Sequence, residues 1–244
     1  HRDLHSFPTR RSSDLLEMLR RKDLYALWVL LATVGVVLGM GSVYGDRSSV
    51  RYVREISLGM IWLAMLAIAV TSAARQLPNE QATRTLLSLL AKPVSRFQVL
   101  AGKWLGCWLA CGVALTGFYA LFGLLDISRG GSVPWASALQ AAWLHWVFCG
   151  VVVSLGLLGS VVFAAPSSNA TIIILAVGCI LFVGEHLRKL ALRLDWGART
   201  LLEGVYFALP HLEFYDVRDL LTHGWAPLPW TAIALDTVYG TAWI

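Results

Sequence analysis

Apolar positions along this chain fall in long runs instead of alternating with polar ones. Five runs cover about 24–44, 56–74, 99–125, 135–164 and 167–184, and a shorter one covers 230–244. A bilayer asks for roughly 20 apolar residues in a helix. The pattern therefore predicts an all-α, polytopic membrane protein of six spans, with the sixth truncated. Gly35, Gly39 and Gly41 dent the first run, which suits close approach of another helix. The third run is longer than a bilayer needs, so it tilts or extends beyond the membrane.

The polar stretch between the second and third runs has helix signals of its own. Pro78 and Asn79 stop the incoming span, and Asn79 suits an N-cap. Glu80 then falls in the first turn, where a carboxylate meets the positive end of the helix. Ala82, Leu86, Leu89 and Leu90 form an apolar stripe, with Thr83, Arg84 and Ser88 on other faces. Lys92-Pro93 ends the element, because a proline pushes its predecessor out of the helical region. Ser95-Arg-Phe-Gln98 has the spacing of a capping box that opens the next helix. A short amphipathic helix over 79–91, set between two spans, is placed to meet a partner.

The other connections differ in kind. Residues 45–55 and the turn-rich 126–134 read as short loops on one side of the membrane, and Pro166-Ser-Ser-Asn169 reads as a tight polar turn. Residues 185–229 form a long exception. Leu187, Leu190, Leu194, Leu201 and Leu202 recur at helical spacing against Arg188, Lys189, Arg193, Asp195 and Arg199. That pattern predicts a helix over about 186–203 lying in the membrane interface between spans 5 and 6.

Composition supports the membrane class. Of 244 residues, 57% are hydrophobic and 14% charged, where a soluble domain carries about 25% charged. The net charge of +5 is mild and reports loop orientation, not a nucleic-acid partner. Arg20, Arg21, Lys22, Arg75, Arg84, Lys92, Arg96 and Lys103 put eight cations on the N-terminal side, against Arg47, Arg51, Arg54 and Arg129 on the other. By the positive-inside rule the N-terminus is cytoplasmic and residues 75–98 face the cytoplasm. The 185–229 stretch adds five cations to the outer side; its amphipathic part is interfacial and weighs less.

Chemistry-bearing motifs are scarce. Gly102-Lys103 has Phe97 where a phosphate-binding loop needs glycine and Trp104 after the lysine, so the chain is not expected to hold ATP itself. No catalytic metal or nucleophile motif is present. Cys107, Cys111, Cys149 and Cys179 all lie in apolar runs, which argues against a disulfide framework. Cys107 and Cys111 share one helix face at i,i+4; a soft-metal pair is one reading, and two small packing residues with no third ligand nearby is the other. His145 and Asp236 are ionisable residues inside apolar runs, which makes them candidates for lining a pathway.

Glu80, Thr85, Leu89-Leu90, Lys92-Pro93-Val94-Ser95-Arg96 and Gly102-Lys103 resemble the first cytoplasmic loop of ABC-2 type transporter permeases. The nearest branch by these motifs is that of permeases labelled for multi-copper enzyme maturation. Leu209-Pro210-His211-Leu212 and Phe214-Tyr215-Asp216-Val217-Arg218 are similar to a pattern before the last span in the same branch, with His211 in place of Asn. Arg84 stands where the family has Gly. The resemblance implies that the 79–91 helix is a coupling helix docking on a separate ATP-binding subunit. Glu80, Arg84, Leu86, Leu89, Leu90, Pro93 and Arg96 would form the partner-coupling surface. It further implies a homodimer or paired permease in a bacterial-type cytoplasmic membrane, with ATP and magnesium on the partner and no cofactor or metal on this chain.

Two further expectations concern the ends and an alternative. Residues 1–15 resemble a translated sequencing adapter, so the fold proper is expected from residue 16 onward. The alternative function is a six-span intramembrane enzyme or assembly scaffold without ATPase coupling, in which His145 and Cys149, i,i+4 on one helix, would act together.

Overall fold

A computed structural model of the chain describes residues 47–78, 95–128, 131–132, 134–163, 165–191 and 196–244. The expected first span and the 79–91 helix lie outside these. Every regular element among the described residues is helical: α1 (Arg47–Ala74), α2 (Arg96–Ser128), α3 (Trp135–Val162), α4 (Pro166–Ala191), α5 (Trp196–Ala208), a 3-10 turn (Leu212–Tyr215), α6 (Arg218–Thr222) and α7 (Trp230–Ala242). Three stretches, Arg51–Pro78, Phe97–Ser128 and Trp135–Val162, are long and apolar enough to cross a membrane, and Pro166–Leu181 is a shorter apolar stretch. The fold is therefore that of an all-α, polytopic membrane protein.

α3 is the centre of the bundle. It packs on α1, α2, α4 and α7, and α1 packs on α2 and α4. Consecutive long helices run antiparallel, with Arg54 near the start of α1 meeting Asp126 near the end of α2; α1 and α3 run parallel, with Ala73 at the end of α1 meeting Gly156 near the end of α3. The buried face of α1 follows helical spacing through Leu58, Ile61, Met65, Ala69 and Ala73. Leu63, Leu139, Leu158, Leu175 and Leu235 point outward on four helices. That outer surface suits acyl chains. Since lipid tails are as apolar as leucine, close packing and interhelical hydrogen bonds must hold such a bundle together.

Both devices are visible. A Cβ on Gly156 would lie 2.7 Å from that of Ala73, so only glycine lets α1 and α3 cross this closely. α2 and α3 are locked by two tryptophans. Trp108 Nε1 donates to the Trp146 carbonyl at 2.9 Å, Trp146 Nε1 donates to the Trp108 carbonyl at 3.0 Å, and the rings stack at 4.3 Å. Gly150 and Gly112 leave the space that the two indoles fill.

Local signals explain the helix ends. The Ser95–Gln98 capping box forms in both directions: Gln98 N donates to Ser95 Oγ at 3.3 Å and Ser95 N donates to Gln98 Oε1 at 3.1 Å. Pro166 is the first residue of α4, a position where its missing N–H costs nothing. The polar turn expected at 166–169 is thus the first turn of a helix. Asn169 is buried and donates from Nδ2 to the Gly156 carbonyl at 3.0 Å.

Two other expectations are modified. Most of the loop expected at 45–55 belongs to α1, which starts at Arg47. A helix of 28 residues is about 42 Å long, so its charged first turns continue past the apolar run instead of leaving the helix. Of the helix expected over 186–203, the described residues belong to two elements that pack on each other, α4 up to Ala191 and α5 from Trp196.

Candidate functional site

Residues 209–229 form a strap across the end of the bundle that holds Arg54. The chain leaves α5 at Pro210, makes the 3-10 turn and the five-residue α6, and reaches α7 through Ala226-Pro227-Leu228-Pro229. α6 ends in a left-handed glycine, Gly224 at φ 64°, with Trp225 N donating to the Leu220 carbonyl at 3.1 Å. Leu212 and Leu221 sink from the strap into the core and are 1% and 0% exposed.

Polar contacts fasten the strap to three helices. Gln140, buried on α3, accepts from Leu228 N at 2.9 Å and donates to the Leu228 carbonyl at 3.0 Å. Leu228 lies between two prolines that carry no N–H, so this side chain grips the sole amide donor of the 227–229 stretch. Tyr215 Oη donates to the Asp236 carbonyl at 2.9 Å, and His211 N donates to Tyr239 Oη at 3.0 Å, both on α7. Arg51 donates to His223 Nε2 at 2.6 Å from the first turns of α1. The Arg218 guanidinium makes a paired bond to Asp216 at 2.7 and 2.6 Å and lies 5.3 Å over the Trp62 ring of α1. The bond to Asp216 holds the Arg218 guanidinium above its ordinary pKa against the opposing effect of burial. Burial pushes the Tyr215 phenol up, and the Asp236 and Tyr239 charges add to it.

His145 lies beneath this strap. It is 4% exposed, and its ring meets Tyr119 of α2 at 6.3 Å and Phe148 at 6.1 Å. Phe148 in turn stacks on Trp62 at 5.2 Å and meets Tyr215 of the strap at 6.5 Å. His145 Nε2 is buried with no hydrogen-bond partner. A buried polar atom left unpaired costs about 1–3 kcal/mol. The other pathway candidate, Asp236, sits on α7 at intermediate exposure, and its main-chain carbonyl receives the Tyr215 hydroxyl. The strap's Tyr215 links the two neighbourhoods.

Of the expected coupling residues, Glu80, Arg84, Leu86, Leu89, Leu90 and Pro93 lie outside the described residues, and Arg96 is the first residue of α2. The helix ends that flank them are well defined. Gln76, just after α1, donates from Nε2 to Cys107 Sγ, about three turns into α2, at 3.4 Å. Cys111 lies beside Cys149 of α3 as well as Cys107 of its own helix. His145 and Cys149 are buried together in the core.

Sequence reasoning missed Gln140, Asp126 and Arg218 as structural determinants. A lone amide or carboxylate in or beside an apolar run was the available signal, but the partners, Leu228, Arg54 and Trp62, are distant in the chain. Arg54 grips Asp126 with two bonds of 2.6 and 2.8 Å and reaches the Ser132 carbonyl at 3.1 Å, which ties α1 to the α2–α3 turn.

The sequence model of one family, described as ABC-2 family transporter protein, matches residues 12–188. No curated protein matches this chain.

Proposed function

We propose that this chain, which belongs to the ABC-2 transporter family, is a permease subunit that couples ATP hydrolysis on a separate ATP-binding subunit to substrate export. The observation that carries the reading is the family match itself, which runs from before the first expected span to α4 and includes the 79–96 segment. ATP and magnesium bind the partner. This chain contributes a docking helix and a path through the membrane, in a homodimer or paired permease with a cytoplasmic N-terminus in a bacterial-type inner membrane.

The described helices offer a route for the motion. A push on 79–91 acts on the end of α1 and the start of α2, and the Gln76–Cys107 bond ties the end of α1 to α2 about three turns further in. The Trp108–Trp146 lock then carries a displacement of α2 to α3, where His145 lies. Helix-in-groove docking concentrates binding in a few apolar anchors, with charges setting orientation. Leu86, Leu89 and Leu90 are those anchors, and Glu80 and Arg84 orient them. Changing Leu86→Asp together with Leu90→Asp is expected to abolish permease-stimulated ATP hydrolysis while the chain reaches the membrane at normal abundance. Unchanged stimulation at that abundance would remove the basis for the coupling role.

A further inference from the structure

We infer that the 209–229 strap is a releasable shutter over His145, and that its displacement gives the imidazole Nε2 a partner from the aqueous side or from a passing solute. The inference rests on the reading of His145 as a pathway residue and adds the element that closes it.

Three observations converge. The first is the unpartnered Nε2 itself, on a side chain 4% exposed and enclosed by rings from α2, α3 and, through Phe148, α1 and the strap. A buried polar atom left unpaired calls for an explanation, and a site that alternates between dry and wet would supply one.

The second is how the strap is held. Its irregular parts join the bundle by separate side-chain bonds: Gln140 to Leu228, Tyr215 to the Asp236 carbonyl, and Tyr239 to His211 N. Leu212, Tyr215 and Leu221 pack into the core, and Arg51–His223 and Arg218 over Trp62 add ties to α1, so displacement also withdraws these side chains. The Trp108–Trp146 lock and the Arg54–Asp126 pair do not pass through the strap.

The third is position. His145 lies ten residues into α3 from Trp135, roughly 15 Å along the axis. Strap residues meet that depth directly, with Tyr215 against Phe148 and Arg218 over Trp62. The Gln140 grip on the 227–229 stretch, one and a half turns nearer the helix start, is the positioning contact that keeps the lid down.

The test measures access to position 145. In a chain with Cys107, Cys111, Cys149 and Cys179 replaced by alanine, His145→Cys is introduced and the protein placed in lipid nanodiscs. Modification by the water-soluble cation 2-(trimethylammonium)ethyl methanethiosulfonate is followed by intact mass, with Ser132→Cys as the exposed control. With the strap unaltered, His145→Cys is expected to react at least 100-fold more slowly than the control. Adding Gln140→Leu, or independently the mild Tyr215→Phe, is expected to raise its rate at least tenfold. Tyr215→Phe keeps the ring and loses only the bond to the Asp236 carbonyl, so it serves if Gln140→Leu does not fold. Reaction at the control rate with the strap unaltered would overturn the inference. So would a rate that neither folded variant raises. The labelling needs no ATP-binding subunit, so its failure and the failure of the coupling role are separate results.

Discussion

The Arg54–Asp126 pair allows a quantitative test of how this bundle is held at one end. The Asp126 side chain is 2% exposed and that of Arg54 14%. Changing Asp126→Ala leaves the guanidinium with the Ser132 carbonyl and little water. Breaking a buried pair from one side costs about 3–5 kcal/mol, because the remaining charge is uncompensated. The residual exposure of Arg54 places the expected loss near 3 kcal/mol, about two orders of magnitude in the folding equilibrium. Replacing both partners, Arg54→Leu with Asp126→Leu, removes the stranded charge and is expected to recover most of that loss. The measurement is a double-mutant cycle on reversible unfolding in mixed micelles, where contacting partners give a coupling energy well outside about 0.5 kcal/mol. Single variants that each cost under about 1 kcal/mol, or a double variant as unstable as the sum of the singles, would refute the buried-pair reasoning.

Two further predictions concern local packing and capping. Gly156→Ala is expected to destabilise by about 1–3 kcal/mol through overpacking against Ala73, and Ala73→Gly in the same chain is expected to restore part of it; a harmless Gly156→Ala in thermal unfolding would contradict the close crossing. Ser95→Ala is expected to cost about 0.5–2 kcal/mol by deleting the cap on α2, seen as faster hydrogen exchange confined to the first turn of that helix. Exchange unchanged at residues 96–99 would show that the reciprocal bonds do not hold that turn.

What could be read in the chain depended on the range of the interaction. The capping box was legible because Ser95 and Gln98 stand in one turn and each supplies what the other's backbone lacks. Helical class was legible because apolar runs of this length have no other use. The N-terminal extent of α1 was not. Arg51 and Arg54 look like loop residues until His223 and Asp126 are seen to receive them, 172 and 72 positions away. Pro166 and Asn169 carry turn signals that serve equally at a helix start, and only the Gly156 carbonyl across the bundle decides between the two. For the candidate site, His145 was identifiable as an ionisable residue in an apolar run. Its cover was not, because Gln140 binds the main chain of Leu228, and a backbone partner leaves no trace in residue type.

The Gln140–Leu228 grip also has a consequence for how the protein is made. The two residues are separated by 88 positions, and chains are elongated at about 5–20 residues per second, so Gln140 is synthesised about 4 to 18 s before its partner exists. During that interval the nascent α3 carries a buried-type amide and the His145 imidazole with no strap above them. Leu212 and Leu221, which complete the core at that end, also arrive late. The early helices therefore wait as an unfinished assembly at that end. Closure of this end waits for residues 209–229, and quality control that samples the nascent chain meets an open core until that strap is delivered.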